Sequence, residues 1–147
     1  MKIINQTETI KIVGFELKTS NEEAFQTIPK FWGEIMVENR LKKITPSISE
    51  NIYAVYTNFK NPGKNNEGVY SLIIGREVLK NQTAFDGFVE AIISPQKRAV
   101  FDVEKNHPEK VGAMWQEIWS TNLEKTFVSD FELYKPNGEI EIHIGIK

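Results

Sequence analysis

Acidic and aromatic side chains alternate with aliphatic ones near the end of the chain, in the stretch SDFELYKPNGEIEIHIGIK at residues 129–147. Successive side chains of a β-strand point to opposite faces, so Glu132 shares a face with Tyr134, and Glu141 shares a face with His143. A partly buried carboxylate beside aromatic rings has the chemistry to hold a cation. The acidic side of these strands therefore either faces water or lines a binding site.

Aromatic residues elsewhere add to this set. Tyr56 belongs to the strand pattern NIYAVYTNF in the first half of the chain, in the place that Tyr134 takes in the second half. Tyrosines on a sheet face are good pocket walls, but they are also good strand formers. Trp115 and Trp119 are four residues apart, a spacing usual for the core stripe of a helix, and we expect one of them, or Trp32, to reach the pocket edge.

Glu132 ranks first among the acidic residues, and Glu141 ranks second because it could equally be the surface partner of a lysine on a neighbouring strand. The chain has two histidines and no cysteine, so His143 has no obvious co-ligand and we predict no metal site and no cofactor. No residue is predicted to be catalytic. The predicted ligand-binding set is Glu132, Tyr134, Tyr56, Glu141, His143, Trp115, Trp119 and Trp32.

Composition narrows the classes of protein that could carry such a site. The 147 residues suit one domain, with 40% hydrophobic and 26% charged residues and a net charge of -2. No basic run exceeds RLKK at residues 40–43, which argues against direct nucleic-acid binding. No apolar run approaches the roughly 18 residues of a membrane span, and the first residues do not resemble a signal peptide. We therefore predict a cytoplasmic protein without a membrane partner.

The order strand, helix, two strands occurs twice. FWGEI at 31–35 echoes MWQEI at 114–118, and IIG at 73–75 echoes HIG at 143–145. The predicted helices occupy 22–41, which includes Pro29, and 107–124, which has a proline near its first turn. The predicted organisation is a single domain, 1–147, with pseudo-repeats at roughly 8–79 and 84–147.

Two such βαββ units predict an α+β fold, with one antiparallel sheet and both helices on one face. We expect the opposite face to be uncovered and to hold the ligand cleft. Alternation then places Tyr53, Val55, Phe131 and Leu133 under the helices. The same alternation places Tyr56, Glu132, Tyr134, Glu141 and His143 on the open face.

The duplicated order, together with KRAVFDVEK, VGAMWQEIWSTNLE and DFELYKPNGEIEIHIGIK, resembles the effector-binding domains of gyrase-inhibitor-like (GyrI-like) proteins and of some AraC-type and MerR-type regulators. The resemblance covers essentially the whole chain. Gly145 stands where the family often has proline. No helix-turn-helix pattern precedes the first strand, so we expect a stand-alone sensor module like those carried on integron cassettes.

The resemblance implies a pocket between the two halves for flat, lipophilic and often cationic molecules, with an acidic residue at its base and aromatic walls. The implied role is a multidrug-type sensor or sequestering module linked to transcription regulation, with any DNA contacts supplied by a partner protein. Some relatives hydrolyse cyclopropane-bearing electrophiles, and Glu132 with Tyr134 could activate water in that way. A protein-interaction module, such as a gyrase inhibitor, is a third possibility. We favour a non-enzymatic binding protein that is a monomer or a weak homodimer.

Overall fold

The computed structural model describes residues 1–84 and 86–147. Two α-helices interrupt a series of strands, and short 3-10 helices follow the first (Arg40–Lys43) and precede the second (Pro108–Lys110). The helices are α1 (Ala24–Val37) and α2 (Val111–Ser120). The strands are β1 (Lys2–Asn5), β2 (Ile10–Thr19), β3 (Ile52–Thr57), β4 (Tyr70–Val78), β5 (Val89–Ile93), β6 (Lys97–Val103), β7 (Ser129–Tyr134) and β8 (Ile140–Gly145).

The eight strands form one antiparallel sheet in the order β1-β6-β8-β7-β3-β4-β2-β5. Both helices pack on the same face. Helix α1 buries Phe31 and Ile35 against β2, β3 and β4, and α2 buries Val111 and Ile118 against β6 and β8. The predicted α+β class, with an antiparallel sheet and two helices on one face, is therefore confirmed. Helix α1 begins at Ala24 and continues through Pro29, so the proline does not set its start.

The element order β2-α1-β3-β4 recurs as β6-α2-β7-β8, and we propose that these are two copies of one unit within a single domain. The strands that precede the units are exchanged between them. Strand β1 precedes β2 but pairs with β6 of the second unit, and β5 precedes β6 but pairs with β2 of the first. Each unit therefore completes the sheet of the other.

The exchange forces the sheet to curl. Strands β5 and β6 lie six positions apart in the strand order, which in a flat sheet would be about 29 Å at about 4.8 Å per strand. Residues 94–96 connect them, and such a connection reaches about 14 Å at most. A hydrogen bond from the side chain of Gln6, which follows β1, to the carbonyl of Ile93 in β5 (3.3 Å) joins the two ends of the sheet.

The face inside this curl is not open, contrary to our expectation. It is filled by a second apolar core whose buried members are Ile12, Tyr53, Val55, Ile73, Ala91, Ile93, Phe131 and Leu133. The predicted faces of β3 and β7 are therefore wrong, because Tyr53, Val55, Phe131 and Leu133 lie inside the curl and not under the helices. Both strands are covered on both faces, so their side chains are apolar or aromatic on both sides and alternation cannot indicate which side meets the helices.

No helix in the described residues is long and apolar enough to cross a membrane.

Candidate ligand-binding site

A cavity of about 460 Å³ opens between the two helices, above the middle of the sheet. Its floor is formed by side chains of β3 and β7, the two strands that meet at the boundary between the repeated units. Its walls come from α1 and α2. The side chains that line it include Phe25, Ile28, Trp32, Tyr56, Phe59, Tyr70, Val111, Trp115, Trp119, Lys125, Phe127, Asp130, Glu132, Tyr134 and Ile144.

The cavity lies on the helix-covered face of the sheet, so the predicted position of the cleft on the opposite face is wrong. The curl fills that opposite face with apolar side chains. The helices instead lie far enough apart to leave the central strands uncovered between them. The seam between the two units is where we expected the site, but on the other side of the sheet.

Glu132 lies at the floor of the cavity and is almost completely buried, with 2% of its surface exposed. Three side chains donate hydrogen bonds to its carboxylate. The Tyr56 hydroxyl and the Trp115 indole N–H each donate to Oε2 at 2.8 Å, and the Tyr134 hydroxyl donates to Oε1 at 2.6 Å. These donors come from both units, because Tyr56 belongs to β3 whereas Trp115 belongs to α2.

Burial and hydrogen bonding act in opposite directions on this carboxyl. Burial raises the pKa of Glu132 above its ordinary value because the charged form loses its hydration, and the three donors lower it again without cancelling the effect. Among the described residues, no lysine, arginine or histidine forms an ion pair with Glu132. The pKa values of Tyr56 and Tyr134 are raised by burial and by the carboxylate, which keeps both hydroxyls protonated as donors.

The tryptophans hold the tyrosines in place. Trp32 of α1 packs edge-on against Tyr134, with 5.3 Å between ring centroids and an interplanar angle of 71°. Trp115 of α2 packs edge-on against Tyr56 at 5.3 Å and 73°. Trp119 is half exposed and lies 6.1 Å from Trp115, at the mouth of the cavity. All three predicted tryptophans thus line the same cavity as Glu132.

The structure contradicts the expected placement of Glu141 and His143 in the cleft. Glu141 is the register partner of Leu133 and His143 is that of Phe131, so both side chains lie on the inner face of the curl. The His143 ring stacks on Phe131 at 4.4 Å, and its Nε2 lies 2.9 Å from Glu141.

Glu141 and His143 do lie on the predicted face of β8, opposite the helices; the error lies in the face assigned to β7 and hence in the side of the sheet that holds the cleft. The register pairs Glu132 with Ile142, so the glutamates of β7 and β8 point to opposite faces. Glu141 instead accepts a hydrogen bond from the Lys135 ammonium at 3.4 Å. This matches the alternative in which Glu141 is a lysine's partner.

Sequence reasoning missed Asp130, a second carboxylate in the cavity. Asp130 is 6% exposed, and its Oδ1 accepts a hydrogen bond from the Gly145 backbone N–H at 2.8 Å. Burial raises the pKa of Asp130 to about 6. The signal was present in the sequence, because Asp130 lies two residues before Glu132 in the same strand and must therefore share its face.

Comparison with known proteins places these features in a family. The sequence model of the integron-associated effector binding proteins (Cass2) matches residues 3–146. No curated protein matches the chain. Among solved structures, the integron cassette protein VCH_CASS2 from the mobile metagenome of Vibrio cholerae has a similar fold, with a TM-score of 0.78 and 23% identity over 99% of this chain and 95% of that one.

Two further structures share the fold. SAV2435 bound to tetraphenylphosphonium has a TM-score of 0.75 and 18% identity, over 100% of this chain and 94% of its own. A protein from Staphylococcus aureus MU50 that is named for a proposed role in bacterial transcription regulation has a TM-score of 0.72 and 17% identity. The match covers 99% of this chain and 97% of that one.

Fold and family together define an effector-binding domain, as the sequence resemblance predicted. The chain belongs to the family of integron-associated effector binding proteins.

Proposed function

We propose that this protein binds small lipophilic cations in the cavity between its two helices, as a sensor or sequestering module linked to transcription regulation. The observation that carries the proposal is the buried carboxylate of Glu132, which has three neutral donors and no cationic partner among the described residues. Burying a carboxylate without a counter-charge costs free energy. A ligand cation would supply that counter-charge.

The walls of the cavity suit the same ligand class. Aromatic rings attract a cation through the negative charge density of their faces, and the effect is larger away from water. Trp32, Tyr56, Trp115 and Tyr134 surround the carboxylate with such rings. The tetraphenylphosphonium bound to SAV2435, a protein of the same fold, is a ligand of this chemistry.

The geometry favours binding over hydrolysis. A general base must offer a free oxygen to the attacking water. In Glu132, Oε2 already accepts two hydrogen bonds and Oε1 accepts one, so little acceptor capacity is left for a water molecule. We therefore expect a cyclopropane-bearing electrophile incubated with the protein to be recovered unchanged. Its consumption at a rate that depends on Glu132 would instead establish the hydrolase.

The proposal is tested by titrating tryptophan fluorescence with methyltriphenylphosphonium and with its neutral relative triphenylphosphine oxide. Trp115 reports on the site because it donates a hydrogen bond to Glu132. We expect Glu132→Gln to weaken phosphonium binding by about thirtyfold, corresponding to about 2 kcal/mol, while phosphine oxide binding changes by less than about threefold.

The matched control is Glu141→Gln, the same chemical change on the opposite face of the sheet. This variant should bind both compounds like the wild type. If the wild type binds no lipophilic cation, or if Glu132→Gln weakens the cationic and neutral compounds equally, the charge-pairing account is wrong.

A further inference from the structure

Asp130 and Glu132 present two different carboxylates to one cavity. Glu132 accepts three hydrogen bonds from side chains, which nearly saturates its acceptor capacity. Asp130 accepts one, from the Gly145 backbone N–H to Oδ1, and no other described group donates to it. Glu132 can therefore attract a cation mainly through charge, whereas Asp130 retains an oxygen that can accept a hydrogen bond from a ligand.

We propose that Asp130 is a second recognition group of the cavity, which selects aromatic cations that carry N–H donors on an amino group over cations that carry none. The inference rests on the proposed function of the cavity and specifies its ligand class further. Its basis is the position of Asp130 in the cavity lining, its 6% exposure and its unused acceptor capacity.

The spacing of the two carboxylates suits a ligand of moderate size. Asp130 and Glu132 are two residues apart on one strand, so their backbones are separated by about 6.6 Å. Tyr56 links the two positions, because it is the register partner of Asp130 and its hydroxyl donates to Glu132. A planar ligand stacked near the Tyr56 ring could place its cationic system near Glu132 and an amino group at Asp130.

The charges that face Asp130 leave it available as an acceptor. Lys125 lines the same cavity, and Arg98 is buried on the inner face of the sheet. The positive charges of both side chains favour the ionised form of Asp130. Among the described residues neither cation forms an ion pair with it. With a pKa of about 6, Asp130 is mostly ionised at pH 7.5.

The test compares proflavine with acridine orange, two acridinium dyes of the same charge and ring system. Proflavine has exocyclic amino groups, whereas acridine orange has dimethylamino groups without exocyclic N–H donors. Dye fluorescence is titrated at pH 7.5 with the wild type, Asp130→Asn and Glu132→Gln. We expect Asp130→Asn to weaken proflavine binding about tenfold more than acridine orange binding, because both dyes lose the attraction of the Asp130 charge but only proflavine loses a charge-assisted hydrogen bond. Glu132→Gln should weaken both dyes.

The ratio of the two affinities gives a second measurement. As the pH falls from 7.5 to 5, Asp130 becomes protonated, so the preference for proflavine should shrink in the wild type and stay constant in Asp130→Asn. Any change in the charge of Glu132 would affect both dyes and cancel from the ratio. Asn can still accept the Gly145 hydrogen bond, and Asp130→Ser provides a second variant if Asn impairs folding.

Equal weakening of both dyes by Asp130→Asn, or no weakening of either, overturns the role of Asp130 while leaving the proposed function standing. Failure of the wild type to bind either dye overturns the proposed function and the inference together.

Discussion

Strands β3 and β7 occupy equivalent places in the two units, yet only β7 carries acidic side chains into the cavity. Aligning Tyr56 with Tyr134 places Ala54 opposite the position of Glu132 in the repeat, and the sheet register also pairs Ala54 directly with Glu132. The same alignment matches Ile52 with Asp130. Both units therefore supply a tyrosine, whereas one unit alone supplies the charge.

The difference shows how a duplicated scaffold can hold one carboxylate at its centre. If both strands carried glutamate here, the two acids would be cross-strand neighbours with Cβ atoms about 5 Å apart. Like charges that close cannot both stay ionised in a buried site. Ala54, which is completely buried, avoids this conflict. The tyrosines can be duplicated without penalty because both donate to the same carboxylate.

Restoring symmetry by Ala54→Glu should therefore have the largest effect on stability. We expect the free energy of unfolding at pH 7.5 to fall by about 4 kcal/mol, partly from overpacking and partly from charge repulsion. Ala54→Gln separates the two causes, because it has almost the same size without the charge. In urea unfolding, the difference in the free energy of unfolding between Ala54→Glu and Ala54→Gln should become smaller as the pH falls to 5. A constant difference would mean that the carboxylates do not interact.

The acids of β7 should also make stability depend on pH. Burial raises the pKa of Asp130 from 3.8 to about 6, so at intermediate pH the folded protein keeps a proton that the unfolded chain has released. The free energy of unfolding therefore falls as the pH rises from about 4 to 6, by on the order of 3 kcal/mol from this group. Asp130→Asn should lack this part of the decrease in urea unfolding. An unchanged pH dependence in the variant would contradict the assignment.

The two tyrosines test the symmetric part of the comparison. Removing a donor from a buried carboxylate costs about 1.5 kcal/mol, so Tyr56→Phe and Tyr134→Phe should each destabilise the protein by a similar amount in urea unfolding at pH 7.5. The double variant should lose more than the sum, because Glu132 then keeps only Trp115 as a donor. Loss of stability from one variant alone would show that the units do not contribute equally.

The smallest effect is expected on the opposite face of the sheet. Glu141 is partly exposed and pairs with Lys135 and His143 outside the cavity. Glu141→Gln should change the free energy of unfolding by less than about 1 kcal/mol. A large loss of stability in thermal or urea unfolding would indicate that the inner face depends on this charge.

The sequence was sufficient for much of the fold. Helical periodicity located α1 and α2, and turn residues separated the strand pairs that follow each helix. Alternation also identified Glu132 as a carboxylate that shares a face with Tyr134, and the structure brings it together with the predicted aromatic residues Tyr56, Trp32, Trp115 and Trp119.

Alternation along the sequence could not show which face of each strand meets the helices. IYAVYT in β3 is apolar or aromatic on both sides, because α1 covers one face and the curl of the sheet covers the other. The curl depends on which distant strands pair with β1 and β5, a long-range property that a local pattern does not encode. Glu141 and His143 lie on the predicted face of β8 but not in the cavity, because Glu132 of β7 pairs with Ile142 and therefore faces the helices.

The exchanged strands β1 and β5 also bear on how ligands enter and leave. Drawing the two units apart would break the hydrogen bonds of both strands to the opposite unit. The seam is therefore a poor hinge, and ligands of different size have to be accommodated by the helices and by rim side chains such as Phe25, which is 72% exposed. Association rates should accordingly respond to changes at this rim, whereas equilibrium selectivity resides in the strands below it.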